Sequence, residues 1–392
     1  MTKIDDKRVP ALRFKGFNDD WAQRELRELA NIGDGLHGTP TYIDNSKYFF
    51  INGNNLVNDK IRITSETKKI SFSQLSKSDK ALNNLTLLMS INGTIGQLAF
   101  YNGENIKLGK SIAYIIFYSK NNFEFFYGVL KTPNIQRYFQ RHVTGTTIKN
   151  LGLAELRNFK YPIPSEKEQE KIGKTIILIN KIIVLQQRKA KQLKLLKKAM
   201  LQMLYTKEYI PSLRFMEFST KWNLVKLGDI TYRYDNLRQP VTASQRKHGK
   251  IPYYGANGIQ DHVDGYTHKG KFLLIAEDGA NDIHNYPVKY VDGKIWVNNH
   301  AHVIQSMPDK VDDIFLLNAI KIINMQPYLV GGSRAKLNAD VMNKIPIKLP
   351  TLQEQKDIGS LAYRLDKLIK LCLSKNNQLQ SAKQFLLQNM FI

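Results

Sequence analysis

Over residues 164 to 206, and again over 350 to 392, apolar residues recur three and four positions apart. The second run carries Ile358, Leu361, Leu365, Leu368, Cys372, Leu379, Ala382 and Leu386. In the first, Ile172, Ile179, Ile182, Leu193, Leu196, Met200 and Met203 take the matching places. This spacing is that of a coiled-coil seam. Each run predicts a helix of about 40 residues, or about 60 Å at 1.5 Å per residue. A compact domain of this chain would not bury so long a stripe, so the economical arrangement packs the two helices on each other. A pseudo-twofold across the seam would make them antiparallel. Both seams turn polar at the same point, Gln186 and Lys189 in one and Cys372 and Lys375 in the other. Such residues either fix register or snorkel out of the seam.

Between and before these runs the period changes. Residues 22 to 163 and 223 to 349 hold short β-rich stretches punctuated by Gly and Asn, such as LTLLMSINGTIGQLAFY at 85 to 101 and KFLLIAEDGAN at 271 to 281. They predict strands joined by tight turns, with helix near 122 to 140 and 312 to 325.

The chain also repeats itself. VPALRFKGFNDDW at 9 to 21 returns as IPSLRFMEFSTKW at 210 to 222, 201 residues later, with six of 13 positions identical. PSEKEQEKIG at 164 to 173 returns as PTLQEQKDIG at 350 to 359, a shift of 186 that holds without gaps to the C-terminus. A repeat this long means two copies of a domain-sized module rather than a solenoid. The copies share beginnings and ends, and their middles differ by 15 residues, 201 minus 186. The resulting plan is a segment 1–21 repeated at 207–222, a variable region 22–163, a long helix 164–206, a second variable region within 207–349, and a last long helix 350–392. Each long helix opens with Pro and an S/T-x-x-E box, Ser165 with Glu168 and Thr351 with Glu354. In such a box the hydroxyl accepts from the N3 amide and the glutamate reaches back to the cap amide.

Charge narrows the function. Fifty-eight basic against 34 acidic residues give +24 over 392 residues. An excess of this size points to a polyanion, nucleic acid first. The single cysteine, Cys372, excludes a disulfide within the chain and fits a reducing compartment. MTKIDDKRVP has no apolar signal core, and the most apolar helical run, IILINKIIVL at 176 to 185, is short of the about 20 residues a span requires. The expectation is a cytoplasmic protein with no membrane contact.

Catalytic patterns fail on inspection. GENIKLGKS at 103 to 111 approaches a phosphate-binding loop, but Gly103 and Gly109 enclose five residues where the motif needs four. NYPV at 285 to 288 is not the turn by which adenine methylases grip a flipped base. His300 and His302 fall on one side of a strand without a third ligand close by, so no metal site is expected.

The variable regions offer candidates for contact with DNA. At the 186 shift, Asn92 faces Asp278; three inserted residues further on, Lys110 and Ser111 face Asn299 and His300. One scaffold would thus carry different polar groups at equivalent sites, as two readers of two sequences should. The glycine-rich GDGLHGTPTY at 33 to 42 adds His37 and Thr39. Loops before each long helix add Thr146 and Lys149 in TGTTIKN, and Arg334 and Lys336 in VGGSRAKLN. Asn257 and Asn281 lie at turns of the second region.

The doubled pattern PxLRFxxFxxxW, a variable region, and P-[ST]-xx-EQxxIG leading into a long helix resembles the specificity (S) subunit of type I restriction–modification systems. GLHGTP at 35 to 40 and VNNHAHVI at 297 to 304 also resemble segments of its target recognition domains. The resemblance implies an α+β fold, with two pseudo-twofold-related mixed α/β target recognition domains joined by two long antiparallel coiled-coil helices. It implies a non-catalytic chain that reads a bipartite, asymmetric target in double-stranded DNA, one half-site per domain. It implies two methylase (M) subunits and two motor-nuclease (R) subunits as partners. S-adenosylmethionine, ATP and Mg²⁺ would sit on those partners, leaving no cofactor for this chain. The rival from another class is a stand-alone nuclease or adenine methylase with an unrecognised active site.

Overall fold

The computed structural model describes residues 9–205, 209–332 and 335–392. The chain divides into two compact units, residues 1–186 with 375–392, and residues 187–374. Each unit combines a β-rich body with the start of one long helix and the end of the other.

The long helices are Glu166–Leu204 and Leu352–Asn389. Their inward positions run in steps of four and three. In the second helix Ile358, Ala362, Leu365, Ile369, Cys372 and Asn376 are buried, and in the first Ile172, Ile176, Ile183 and Ala190. The seam expected from sequence is therefore corrected by one residue in places. Leu196, Met203, Leu368 and Ala382 are exposed, and Ile183 and Ile369 take the inner positions. Apolar residues stand side by side at 182–183, 195–196, 361–362 and 368–369. Hydropathy alone cannot choose between such neighbours, whereas close helix approach favours the small Ala362 and Ala190. Lys189 and Lys375 are exposed, so the polar seam residues are the half-buried Gln186 and the buried Asn376.

Within each unit the two helical segments run antiparallel. In the first, Lys383 Nζ donates to Asn180 Oδ1 at 2.8 Å, and Tyr161 Oη meets the backbone of Ile392. In the second, Lys197 Nζ donates to Asp366 Oδ2 at 2.6 Å. Asn180 and Asp366, like Lys197 and Lys383, are equivalents at the 186 shift.

The repeated motifs meet each other inside each unit. Arg13 Nε and Nη2 grip both oxygens of Glu168 at 2.7 and 2.8 Å, and Nη2 also donates to the Asp19 carbonyl. Arg214 grips Glu354 at the same two distances and donates to the Thr220 carbonyl. The glutamates thus do not close capping boxes, which corrects the local reading. Thr351 Oγ1 still accepts from the Glu354 amide at 3.4 Å, but at Ser165 it is the carbonyl that takes the Glu168 amide. A two-pronged guanidinium binds a carboxylate more strongly than one amide does. The next residue, Gln169 or Gln355, donates to the carbonyl of Pro164 or Pro350 at 2.9 Å. The motif glycine lets a second helix come close: a Cβ on Gly173 would meet Glu124 Cβ at 2.7 Å and Glu124 C at 2.8 Å. On Gly359 it would meet Asp312 Oδ1 at 2.5 Å. Trp21 and Trp222 complete the two corners, edge-on to Phe125 and Phe315.

The first unit has an antiparallel sheet of four strands in the order Ala30–Asp34, Ile112–Phe117, Thr86–Ser90, Leu98–Phe100. Thr86–Ser90 is buried throughout, with the apolar Leu87, Leu88 and Met89 between a buried Thr86 and a buried Ser90. A smaller sheet pairs Tyr48–Ile51 in parallel with Ile106–Leu108 and antiparallel with Lys69–Ile70. Helices Lys120–Lys131 and Pro133–Arg141 close the core with Phe125, Phe126 and Phe139. The second unit has six strands in the order Thr231–Arg233, Ala301–Ser306, His268–Ala276, Val288–Val297, His248–Gly255, Gly258–Val263. Helix Asp313–Lys321 packs on them through Phe315, Leu316 and Ile320.

Candidate nucleic-acid interface

Both units end their central strands in the same backbone construction. In the first, the Ile91 amide donates to the Ser111 carbonyl, the Leu151 amide to the Ile91 carbonyl, and Asn92 bridges to Asn150. In the second, the Glu277 amide donates to the His300 carbonyl, the Leu337 amide to the Glu277 carbonyl, and Asp278 bridges to Lys336. The equivalences drawn from the 186 shift are therefore structural ones, including the slip of three residues between Ser111 and His300.

On this frame the first unit brings His37, Asn92, Lys110, Ser111 and Lys149 along one hydrogen-bonded edge. Leu36 bridges Gly109, and the Lys110 amide donates to the Leu36 carbonyl, which sets His37 beside Lys110. Gly35 makes that crossing possible, since a Cβ there would lie 2.1 Å from the Leu108 carbonyl oxygen. Strand packing by itself thus requires the glycine. Ser111 Oγ accepts from the Gly53 amide at 2.8 Å and donates to Asn52 Oδ1 at 3.1 Å. The Gly93 amide donates to the Lys149 carbonyl, and Asn92 Nδ2 reaches Asn150 Oδ1 at 3.5 Å. His37 Nε2 lies 2.6 Å from Asp34 Oδ2 with its ring largely exposed. Thr39 and Thr146 stand further out on exposed loops. The near phosphate loop at 103 to 111 is occupied by the strand Ile106–Leu108, which pairs with Tyr48–Ile51, while the Leu108 amide donates to Asp79 Oδ1 at 3.1 Å.

In the second unit Asn257, Asn281, Asn299, His300 and Lys336 come together. Asn257 Nδ2 donates to the Gly279 carbonyl at 2.9 Å and its Oδ1 accepts from the Asn281 amide at 3.0 Å. His300 Nδ1 lies 2.6 Å from Asp278 Oδ1, and Asn298 Oδ1 accepts from the His300 amide. Arg334 lies outside the described residues.

Under these loops lies an ionic stack that the sequence reading missed. Arg238 Nη1 contacts Glu277 Oε2 at 2.5 Å and the carbonyls of Asn299 and Ala301. Lys336 Nζ contacts Glu277 Oε1 at 2.9 Å. Buried His302 holds Asp235 through Nδ1 at 2.7 Å and the Leu337 carbonyl through Nε2 at 2.8 Å. Burial alone would lift the Asp235 carboxyl. The hydrogen bonds from His302 and the Val303 amide, with the charge of Arg238, hold it below the usual range. Glu277 is held down in the same way by Arg238 and Lys336 against the effect of burial. His300 and His302 thus have separate carboxylate partners rather than a shared ligand. Among the described residues no group of three or more His, Cys, Asp and Glu could hold a metal ion. No helix there is long and apolar enough to cross a membrane.

Comparison with known proteins gives this geometry a family. A family model described as the type I restriction modification DNA specificity domain matches residues 18–195 and again 219–381. A Haemophilus influenzae protein named as a type I restriction enzyme specificity subunit is 43% identical over 142 residues, 36% of this chain and 37% of that one. The match thus spans little more than a third of that relative. A specificity subunit of Methanocaldococcus jannaschii is 25% identical over 397 residues, 93% of this chain and 91% of its own. The crystal structure of the S subunit from M. genitalium superposes with a TM-score of 0.69 at 17% identity, over 98% of this chain and 99% of that one. A chain from a structural study of type I R-M complex assembly gives 0.53 at 13% identity, over 95% and 97%. With the doubled motifs clasped as described and the family model matched twice, the chain belongs to the type I restriction modification DNA specificity family.

Proposed function

We propose that this chain reads a bipartite, asymmetric DNA target, one half-site per unit, and directs modification and restriction subunits to it. The observation that carries the reading is the identical frame bearing different groups. Asn92, Ser111 and Asn150 in one unit stand where Asp278, His300 and Lys336 stand in the other. Different donors and acceptors at one position recognise different base edges, while phosphate contacts position the protein. The charge of +24 supplies the latter.

The partners are two methylase and two motor-nuclease subunits, which bring S-adenosylmethionine, ATP and Mg²⁺, in the cytoplasm. Exposed apolar side chains on the long helices, among them Leu178, Leu185, Leu371 and Phe385, support a protein-binding role for those helices. Helix length would set the gap between half-sites, so a heptad inserted in both helices changes the gap and leaves the half-sites alone.

The test is co-expression with the cognate methylase, followed by mapping methylated adenines. A split motif of two unlike halves with a fixed gap is the expected result. Exchange of residues 22–163 for those of a relative should replace one half only. A contiguous motif, or methyl transfer by the purified chain alone, would overturn the reading.

A further inference from the structure

The second unit presents a carboxylate where its counterpart presents an amide. Asp278 is a poor phosphate neighbour, because a carboxylate repels the backbone that the rest of this basic chain attracts. Its side chain is 24% exposed, at the turn after the strand His268–Ala276. Oδ1 is held at 2.6 Å by His300 Nδ1. No described residue bonds Oδ2. The turn itself is pinned from three sides: its backbone bridges Lys336, Asn257 bonds the Gly279 carbonyl, and the Glu277 amide bonds His300. Glu277 next to it is already neutralised by Arg238 and Lys336, so Asp278 is not required to balance those cations. A fixed acceptor with no Lys or Arg bonded to it among the described residues, at the edge of a DNA-reading unit, suits an exocyclic amino group in the major groove.

We infer that Asp278, oriented by His300, is a specificity-determining acceptor for the amino group of one base, cytosine N4 or adenine N6, in the half-site read by the second unit. The inference rests on the two-reader function proposed above. Asn92 at the equivalent place carries both a donor and an acceptor, so the first unit makes a different choice there. Toward Asp278, His300 acts as a positioning residue that fixes the rotamer of the carboxylate.

The experiment uses the chain assembled with its methylase. The wild-type motif is mapped first and defines both half-sites. Asp278→Asn is then expected to relax or switch one base pair in one half and leave the other half intact. In parallel, duplexes lacking a single amino group (purine for adenine, or a 4-deaminated pyrimidine for cytosine) are scanned through that half with wild-type complex. One position should lose about 5- to 150-fold in affinity, the same position that Asp278→Asn relaxes, and the variant should be insensitive there. Whether purine or the pyrimidine analogue gives the loss identifies the base. Unchanged half-sites in a folded Asp278→Asn overturn the inference. So does a wild-type scan without a sensitive position, which decides the matter even if the variant does not fold. A wild type without a split motif sinks the two-reader function itself, a separate and earlier result.

Discussion

The Arg214–Glu354 clasp offers the sharpest test of how the repeated motifs hold each unit together. Glu354 is fully buried and Arg214 nearly so. Arg214→Ala removes both bonds to the carboxylate and the bond to the Thr220 carbonyl. Glu354 is then left with the indole of Trp222 at 3.3 Å. Stranding a buried charge in this way costs about 3–5 kcal/mol, far above the 0–1 kcal/mol of a surface pair. For a unit of this size each kcal/mol lowers Tm by about 2–4 °C, so the second unit should melt about 6–20 °C earlier. Thermal unfolding with hydrogen exchange at the strands Asn223–Lys226 and Pro346–Leu349 reads the change in that unit.

The same reasoning makes a second, less intuitive demand. Replacing both partners by apolar residues of similar volume, Arg214→Met with Glu354→Leu, removes the stranded charge. It also removes Arg214 Nη1, a buried donor with no partner among the described residues. The double variant should therefore recover most of the loss, since buried pairs repay their desolvation only in part. A single substitution costing under about 1 kcal/mol would refute the assignment of the clasp as buried and isolated from water. A double variant no better than the single would show that the cost was shape, not charge.

Gly173→Ala should destabilise the first unit by about 1–3 kcal/mol, because the new Cβ meets backbone of the helix Lys120–Lys131 that cannot move aside. Gly359→Ala should cost less, about 1 kcal/mol, since it displaces mainly the Asp312 side chain from its cap on Ile314 and Phe315; denaturant melts compare the two. Burial lowers the pKa of His268, with its bond to the Tyr234 carbonyl opposing, so the unfolded chain takes up the proton more readily. The stability this provides is complete above about pH 6.5 and is lost as pH falls below it; His268→Gln should flatten that limb of a stability–pH curve. DNA affinity should fall with salt by about 0.9 log units per log unit for every phosphate neutralised, and Lys110→Ala should lower that slope. Leu185→Glu, on an exposed helix position, should weaken co-purification of the methylase without moving Tm.

Much of the fold is legible in the sequence because it is periodic or repeated. The two long helices, the matched ends of the units and the equivalence of Asn92 with Asp278 all follow from spacing. Three-dimensional partners do not. Glu168 and Glu354 fit a local grammar in which a first-turn glutamate caps its own helix, and that grammar fails here because Arg13 and Arg214 arrive from 155 and 140 residues away. The repeat did contain the signal: the same arginine and the same glutamate are kept in both copies, although neither has a periodic reason to be there.

The loops at these strand ends mark the same boundary at finer scale. Glu277 and Asp278 are adjacent acids at the end of one strand, and composition treats them alike. Only the folded chain separates them: Glu277 lies between Arg238 and Lys336, and Asp278 meets His300. A carboxylate between two cations stabilises the loop that carries it and has little left to offer a ligand. A carboxylate bonded, among the described residues, by one imidazole keeps an acceptor in reserve. Which acid is neutralised and which keeps an open acceptor is therefore decided by cations brought from 39 and 59 residues away, beyond the reach of any local pattern.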